Sequence, residues 1–508
     1  MALFNYLSFA LLLMFIGAPI AWFIGRRNGR WSGIFALLIM LVSMVTFGLA
    51  WWESQLAGMY LEEFVLAPSL GPFGWYLDGL SSVVAWIILI LTTAATCYSI
   101  VYMSKEEGKG RFFALLLMYN AGIFGVILAT NLFQFYILWE LMLIPSYFLI
   151  AEWGTKPQST KIALKYFIFT HIGAVLILVG IAGIWALGAT WGVTGASMNM
   201  FSSMIAPINL NWTIMTPGTL AFDLARIITV LFTIGFAVKM AIFPLHTWLP
   251  DAHAEAPTPI SVILSGVMIE TAAYAIIRIL MTFMLPAYGS FTTFLMFFGL
   301  ITMIYGGIMA LVQKDTKRLF AYSSVSQMGY IFFGLGTALL IGTVGAAFHI
   351  FTHALGKGLL FMTAGVLIVQ IGHERGRDIT SMGGLARKMP WTATIALIAG
   401  LSIAGTPPLA GFASEFWIFV GGALGYAVLM VIFAVASTAL TAAYILWFVK
   451  RVFFGPTPTD LGTVTDSPLL MRIPMIILAL LIIVLGVWPA LVLDPLYQAL
   501  NFLPTLVP

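Results

Sequence analysis

The chain of 508 residues is 61% hydrophobic and only 8% charged, with a net charge of +4. Soluble proteins carry about 25% charged residues, so this composition excludes a soluble domain and indicates an all-α protein that crosses a membrane many times. Cys97 is the only cysteine, which excludes an intrachain disulfide and a cysteine-ligated metal site within this chain. The basic residues are spread over many loops, which is not the pattern of a nucleic-acid-binding protein.

Apolar runs of spanning length follow one another along the chain as a single membrane domain, 1–508. A membrane-spanning helix needs about 20 such residues, and we count about fourteen runs. They lie near 3–24, 31–52, 75–101, 112–130, 132–151, 161–188, 225–246, 258–283, 290–312, 319–340, 342–371, 391–420, 424–449 and 470–493. The first run has no basic segment before it and is long enough to cross, so we interpret it as span 1 rather than a signal peptide.

The basic residues of the loops alternate with the spans. They follow spans 1, 3, 5, 9, 11 and 13, and they are Arg26, Arg27, Arg30, Lys105, Lys109, Arg111, Lys156, Lys161, Lys165, Lys314, Lys317, Arg318, Arg375, Arg377, Arg387, Lys388, Lys450, Arg451 and Arg472. The positive-inside rule then predicts odd-numbered loops in the cytoplasm and both termini outside. The expected location is a prokaryotic cell membrane. One miscounted span would break the alternation, so the loops support fourteen.

Prolines interrupt two of the predicted spans. Pro244 and Pro250 end span 7, and Pro407 with Pro408 breaks span 12 in SIAGTPPLAGFASEF. Broken helices at membrane depth occur where they line a hydrated cavity, and a matching pair of them is typical of inverted-repeat transporters. We predict two inverted five-helix repeats, 112–283 and 290–449. The longest loop, 189–224, is predicted outside, as a lid or a packing loop.

Several charged or titratable residues fall inside the predicted spans. They are Glu140, His171, Lys239, Glu270, Arg278, His349, His353, Lys357 and Glu415. A charge at the bilayer centre costs about 2.5–3.5 kcal/mol, so these groups must face one another or a hydrated path, and we predict that they transfer protons. Arg278 is interpreted as reaching from span 8 to the outer surface. The role of His171 is left open.

Two groups of these residues carry the prediction. Glu140 and Lys239 are expected within reach of each other, either as a gate that responds to a nearby proton or as a static ion pair. His349, His353 and Lys357 follow at i, i+4 and i+8, which places them on one face of a helix. That stripe predicts a proton wire, with interhelical hydrogen bonds as the alternative. A zinc site is disfavoured, because no carboxylate is evident nearby in the sequence.

Six stretches resemble one known family. FAVKMAIFPLHTWLPDAHAEAPTPISVILSG, LWELMLIPSYFLI, QKDTKRLFAYSSVSQMGYI, HALGKGLLF, GLARKMP and GTPPLAGF are similar to motifs of the proton-translocating antiporter-like subunits of respiratory complex I (NADH–quinone oxidoreductase) and of Mrp antiporters. The resemblance covers about 75–455. It is greatest to the chain M branch, which carries Glu at the position of Glu415 where other branches usually carry Lys. The chain is also too short for the chain L type.

The resemblance implies a function and its partners. It implies a proton-translocating subunit of a redox-driven pump, in which Glu140, Lys239, His349, His353 and Lys357 match family positions and Glu415 is the exit group. No cofactor or metal is expected in this chain, whereas flavin and iron–sulfur clusters are expected in partner subunits of a peripheral arm. Further partners are other membrane subunits and the lipid bilayer. The alternatives are a cation/proton antiporter subunit of Mrp type, a membrane-hydrogenase-type subunit and a purely structural scaffold.

Two features of the resemblance leave interpretations open. Chain M-like proteins carry Lys where this chain has Glu270. The interaction of this position with Lys239 is then attractive rather than repulsive. The departure indicates an unusual branch, such as an archaeal complex I-like enzyme, a deazaflavin-dependent dehydrogenase or a membrane hydrogenase. The cytoplasmic loop PLHTWLPDAHAEAPTP, 244–259, offers two interpretations of equal weight. Its polar residues, His246, Asp251, His253 and Glu255, either feed a proton-uptake path or belong to a rigid turn in which Asp251 and Thr258 cap helices.

Overall fold

Helices dominate the computed structural model, which describes residues 5–67, 71–155, 158–190, 217–425, 427–458 and 464–505. The helices are α1 (Tyr6–Arg27), α2 (Gly29–Ala57), α3 (Gly79–Tyr102), α4 (Lys109–Leu128), α5 (Leu132–Trp153), α6 (Ser159–Thr190), α7 (Leu220–Met240), α8 (Leu249–Glu255), α9 (Thr258–Met281), α10 (Leu285–Gly289), α11 (Thr292–Leu311), α12 (Thr316–Gly336), α13 (Leu340–Ile371), α14 (Pro390–Ile403), α15 (Ala410–Leu424), α16 (Val428–Phe453), α17 (Leu469–Val487) and α18 (Ala490–Ala499). Two strands, β1 (Tyr60–Ala67) and β2 (Gly71–Leu77), pair antiparallel.

The polytopic helical class is confirmed. Among the described residues, twelve helices are long and apolar enough to cross a membrane, and α12, α14 and α15 occupy the remaining predicted spans. The count of fourteen, the two inverted repeats and the orientation of the loops stay predictions. Most of the predicted lid or packing loop, residues 191–216, lies outside the described ranges.

The predicted start of span 3 is wrong, because a hairpin precedes the helix. Residues 75–77 belong to β2, and α3 begins only at Gly79. The boundary is set by Asp78, whose carboxylate accepts hydrogen bonds from the backbone N–H and the hydroxyl of Ser81 and so caps the helix. Aromatic residues face each other across the two strands, as Phe64 and Phe73 do, and such pairs stabilise a hairpin.

Both predicted helix breaks are present. α7 ends at Met240, six residues before the predicted end of span 7, because Ala241 is left-handed (φ +57°) and the Trp248 indole donates back to the Val238 carbonyl at 2.9 Å. The second break separates α14 from α15, with Gly405 at φ +65°. A left-handed backbone favours glycine, which has no Cβ to clash. Each break therefore exposes backbone carbonyls and amides next to polar side chains.

The end of the chain differs from the predicted single span at 470–493. α17 stops at Val487, and Pro489, which cannot continue a helix ladder, precedes the separate helix α18. α18 packs on α3 and α13 at the end of the bundle where α3 begins. The sequence run therefore contains a span and a short terminal helix.

The centre of the bundle is formed by α9 and α13. Every residue of α9 is buried. Two π-helical stretches, Leu264–Met268 and Ile276–Met281, flank the α-helical turn that starts at Glu270. α13 packs closely on α15 because a Cβ at Gly345 would lie only 2.6 Å from the backbone nitrogen of Ile418. π-helical turns are rare and often occur at functional sites, which directs attention to Glu270.

Candidate functional site

A carboxylate and an imidazole meet in the middle of the bundle. Glu270 of α9 is 1% exposed and contacts Nδ1 of His353, which is fully buried on α13, through its Oε1. The second carboxylate oxygen and Nε2 of His353 have no hydrogen-bond partner in the described part of the chain. A buried pair of this kind holds a proton on one partner or the other, and it retains a free acceptor or donor on each side.

His349 continues this arrangement one turn along α13. Its ring stacks on that of His353 with 6.2 Å between centroids. Nε2 lies 3.0 Å from Oε1 of Gln327 on α12, and Nδ1 lies 2.9 Å from the hydroxyl of Ser414 on α15. Since Ser414 precedes Glu415, the imidazole connects the central pair to the second half of the broken span. Glu415 itself is 4% exposed.

Lys357, the third member of the predicted stripe, has a different partner. Its ammonium donates to the hydroxyl of Ser323, which in turn donates to the Tyr444 hydroxyl at 2.7 Å. All three side chains are buried. The structure therefore divides the stripe, with two histidines directed towards Glu270 and Gln327 and the lysine directed towards α12 and α16.

Glu140 and Lys239 form no direct ion pair among the described residues, and their role as a gate or a static pair stays a prediction. Oε2 of Glu140 lies 3.2 Å from Nδ1 of His171 on α6, while Nζ of Lys239 lies 5.3 Å from the centre of the Trp139 ring. Lys239 is 1% exposed, and its ammonium has no hydrogen-bond partner among the described residues. The ammonium of Lys239 lies over the indole of Trp139, and a cation over an indole face is favourable. His171 is thus the direct partner that the sequence left open.

The loop at 244–259 is held by charges from three helices. Asp251 of α8 accepts from Lys165 of α6 at 2.8 Å and from Arg318 of α12 at 2.7 Å. Asp251 does not cap α8, and the hydroxyl of Thr258 donates to Tyr102 rather than capping α9, so both predicted caps are wrong. The reason is that side chains from neighbouring helices reach these polar groups. Interhelical ion pairs therefore hold Asp251, and the choice between a proton-uptake path and a rigid turn stays open.

Buried polar contacts extend from this loop. Glu255 accepts from the Thr155 hydroxyl at 3.2 Å, and Arg377 donates to the same hydroxyl and to Asp315. The ammonium of Lys317, on the α12 turn beneath, donates to the Ala256 carbonyl. The buried end of the loop, at Glu255 and Ala256, therefore has polar contacts, as the more exposed Asp251 does.

The two loop histidines are buried among aromatic rings. His253 stacks on Phe361 at 5.0 Å, and neither ring nitrogen has a partner among the described residues. Burial, with Lys317 and Lys357 nearby, lowers the pKa of His253 well below its ordinary value. Burial and Lys165 likewise lower the pKa of His246, which lies between Phe243 and Tyr305. Both imidazoles are therefore neutral at neutral pH.

The expected snorkelling of Arg278 is wrong. The side chain is 5% exposed and forms two hydrogen bonds to the Asp78 carboxylate, at 2.8 and 2.7 Å. Its Nε donates to the Tyr274 hydroxyl at 2.9 Å. The physical reason is the position of Asp78, since a buried carboxylate beside the end of α9 accepts two charge-assisted hydrogen bonds from the guanidinium.

Comparison with known proteins identifies the family. The family described as NADH:quinone oxidoreductase/Mrp antiporter, TM, matches residues 129–441, which is more than half of the chain. The chain belongs to this family. A second description, NADH-Ubiquinone oxidoreductase (complex I), chain 5 N-terminus, matches residues 71–113 of this antiporter-like chain.

Relatives of the antiporter-like family align along most of the chain. NADH-quinone oxidoreductase subunit M of Pseudomonas aeruginosa is 32% identical, over 96% of this chain and 95% of its own length. F(420)H(2) dehydrogenase subunit M of Methanosarcina mazei is 33% identical, over 89% of this chain and 90% of its own. The subunit M of Escherichia coli K12 is 30% identical over 97% of both chains.

Solved structures share the antiporter-like fold. The membrane-bound sulfane sulfur reductase, an archaeal respiratory membrane complex, has a chain with a TM-score of 0.86 and 29% identity, covering 97% of this chain and 78% of the other. A chain of the Mrp complex from Dietzia sp. has a TM-score of 0.86 at 21% identity, over 99% and 98%. Respiratory complex I from Thermus thermophilus gives 0.83 at 23%, over 97% and 98%. At such identities the last two show the fold alone.

Several site residues of this antiporter-like chain were missed by the sequence reasoning. They are Asp78, Trp139, Ser323, Gln327, Ser414 and Tyr444. Gln327 is a polar residue inside an apolar span, within the motif SSVSQMGY, and this was an available signal. The hydroxyl groups gave none, because single serines are common in membrane helices. In the parts of the chain that the structure describes, no group of three or more His, Cys, Asp or Glu residues is arranged to hold a metal ion.

Proposed function

We propose that this chain is the proton-translocating membrane subunit of a complex I-like, redox-driven pump. The observation that carries the proposal is the buried Glu270–His353 pair, which continues through His349 to Gln327 and Ser414 at the second broken span. Titratable groups cost several kcal/mol at membrane depth unless they serve a path, and imidazoles accept and release protons on either ring nitrogen.

The residues have distinct roles in this proposal. Glu140 with His171 and the Lys239 ammonium form the end near α5 and α6, and Glu415 forms the opposite end. Glu270, His353 and His349 pass the proton between them, and Lys357, one turn further along α13, is a further proton-transfer residue. In this proposal electrons pass through partner subunits, which hold the flavin and iron–sulfur clusters; it is supported by relatives that are named as single subunits of an oxidoreductase and a dehydrogenase.

The first test is purification of the native complex in mild detergent, with partner identification by mass spectrometry and a visible absorption spectrum. Flavin or iron–sulfur absorbance together with quinone-reductase-type partners supports a redox-driven pump, and the donor-binding subunit identifies its branch. A colourless assembly of small membrane subunits that exchanges cations for protons contradicts the redox drive and supports an Mrp-type antiporter.

A second test distinguishes the pump from a structural scaffold. The variants Glu140→Gln and Lys239→Ala are expected to assemble and to lose most proton ejection per electron, measured in proteoliposomes. Glu63→Gln, at an exposed hairpin carboxylate, is the matched control and should eject protons like the native complex. Full proton ejection by both site variants would contradict the proposed roles.

A further inference from the structure

A cavity of about 840 Å³ opens at one end of the helix bundle. Its walls come from the end of α2, the start of α3, the end of α9 and the terminal helix α18; they include Gln55, Tyr76, Thr282, Asp494, Gln498 and Asn501. About half of the wall surface is polar, although the surrounding helices are apolar. A polar cavity of this size at a membrane face holds water.

The cavity lies at the face opposite the basic loops. A Cβ at Gly25 would lie 2.1 Å from the Cα of Gly110, so the loops after α1 and α3 share one face. α9 begins at that face, where Thr258 contacts Tyr102 at the end of α3, and it runs the length of α3 to reach Asp78. The cavity is therefore on the face that the basic loops predict to be outside.

The Asp78–Arg278 ion pair forms the floor of this cavity. The guanidinium donates to both carboxylate oxygens and also lies over the rings of Tyr76 and Tyr274, with 5.6 and 5.3 Å to their centres. Burial by itself raises the pKa of Asp78. The Arg278 guanidinium and the hydrogen bonds from Ser81 lower it by more than burial raises it, so the pKa lies below its ordinary value. The floor is thus a fully ionised pair at neutral pH.

A column of polar side chains connects this floor to the centre of the membrane. Glu270, Tyr274 and Arg278 follow one another at i, i+4 and i+8 along α9, and eight residues of helix rise about 12 Å. Arg278 contacts Tyr274 directly, and Glu270 contacts His353. Two helical turns therefore separate the buried proton-binding pair from a water-filled cavity.

We propose that the cavity is the outer mouth of the proton path, and that the Asp78–Arg278 pair is the gate that closes it. This rests on the proposed function, and it adds an opening beside α3 and α9 to the predicted exit at Glu415. Arginine stays charged at every accessible pH, so it repels hydronium rather than relaying protons, and a fixed positive charge is an effective barrier to protons in a narrow passage. Protons pass when the pair separates, and the barrier prevents backflow when it is closed.

The gate is tested by the passive proton leak of proteoliposomes that contain the whole complex and no electron donor. A potassium gradient with valinomycin drives protons inward, and a trapped pH dye reports the rate. Arg278→Gln is expected to raise the rate at least tenfold above the native complex. The double variant Arg278→Gln with Glu270→Gln should return it to the native rate, because the leak runs through the central pair.

Control variants separate the gate from a general loss of structure. Arg111→Gln removes another arginine–carboxylate pair, with Glu152 at 3.2 Å, on the opposite face and should leave the leak unchanged. In Arg278→Gln combined with Glu415→Gln the leak should persist, since this mouth does not use Glu415. An assembled Arg278→Gln complex that leaks no more than native, or a leak that survives Glu270→Gln, would overturn the proposal.

A second measurement applies if Arg278→Gln does not assemble. Gln498→Cys at the cavity wall, labelled with a bulky, positively charged thiol reagent, should halve proton ejection or more while uncoupled electron transfer is unchanged. Val487→Cys, at an exposed position of α17, is the control for labelling elsewhere on the surface. The native complex, treated with the same reagent, shows the effect of labelling Cys97 alone. Full proton ejection by the labelled Gln498→Cys complex would overturn the proposal that the cavity is the outer mouth of the proton path. Failure of the native complex to eject protons overturns the proposed function instead.

Discussion

Glu270 gives the central site a chemistry that a lysine in its place would not give. A carboxylate against His353 forms a pair with one shared proton, whereas two bases at the same positions would repel each other when both were protonated. The pair is attractive in the ionised state and needs no counter-charge from outside. In the proposed relay, this pair holds the proton within two adjacent side chains of the chain.

Replacing the carboxylate tests this storage directly. Glu270→Gln keeps the size and a hydrogen bond to His353 but cannot ionise, so we expect proton ejection per electron to fall at least severalfold. Proton-to-electron stoichiometry in proteoliposomes is the measurement, with Glu63→Gln as the control. Unchanged stoichiometry in an assembled Glu270→Gln complex would remove Glu270 from the relay.

The lowered pKa of His253 predicts a dependence of stability on pH. In the unfolded chain this imidazole takes up a proton near pH 6.5, but in the folded chain it stays neutral at lower pH. The unfolded state then binds more protons below about pH 6.5, so the free energy of unfolding falls by about 1.4 kcal/mol between pH 7.5 and 5.5. His253→Gln should remove this part of the pH dependence, which thermal unfolding of the complex at both pH values measures. An unchanged slope would show that His253 is protonated in the folded state.

The sequence predicted most residues of the site but not their contacts. Charges stand out in apolar spans because of their cost, so Glu140, Lys239 and Glu270 were evident. Which side chain faces which depends on the rotation of each helix, and a few tens of degrees exchange one partner for another. That is why the contact of Glu140 with His171, and that of Arg278 with Asp78, were not predicted.

At the scale of elements, the break between α14 and α15 positions Glu415. Gly405 is left-handed, and a Cβ there would lie only 2.2 Å from Oε2 of Glu415. The absence of a side chain at this position lets the carboxylate pack against the turn. The break is therefore part of the site as well as an interruption of the helix.

Gly405→Ala is expected to disturb both the turn and the carboxylate. A left-handed alanine costs about 1–2 kcal/mol, and Glu415 must move away from the new Cβ. We expect a lower melting temperature of the complex and reduced proton ejection. Gly289→Ala is the matched control, because no atom lies within 4 Å of its added Cβ. Native stability and native ejection in Gly405→Ala would contradict the strained geometry.

Sequence patterns located the elements well where hydrophobicity or proline determines them. The two breaks followed from Pro244 and from Pro407 with Pro408. The hairpin was missed because its aromatic residues are as apolar as a helix end, and α18 was merged with α17 because apolar residues continue across Pro489. Hydrophobicity therefore identifies the segments that are buried in the membrane or the protein interior, whereas the first and last residues of each helix depend on single capping residues such as Asp78.

At the scale of the whole molecule, one face of the bundle exposes a polar pair within its membrane-spanning helices. His171 is 45% exposed and Glu140 is 19% exposed, although both lie within membrane-spanning helices. Apolar residues such as Ile172 surround them on the α6 surface. A polar pair cannot face lipid at low cost, so this face predicts contact with another membrane subunit.

Photo-crosslinking tests this contact in the native complex. A benzophenone amino acid in place of Ile172, which is 57% exposed, is expected to form adducts with a neighbouring subunit. The same probe in place of Val45 on α2, which is 63% exposed, is the control and should label mainly lipid. Mass spectrometry identifies the products. Only lipid adducts at position 172 would show that the face is exposed to the bilayer.

The position of Glu62 has a consequence for how the chain is made. Its carboxylate accepts from the backbone nitrogens of Leu7 and Ser8, at 2.8 and 3.0 Å, and so caps α1 from more than fifty residues downstream. While the ribosome is still adding α2, the amino end of α1 has no such partner. The amino end of α1 therefore gains these two hydrogen bonds only after the hairpin has been synthesised, which links the capping of the first helix to the loop that follows the second.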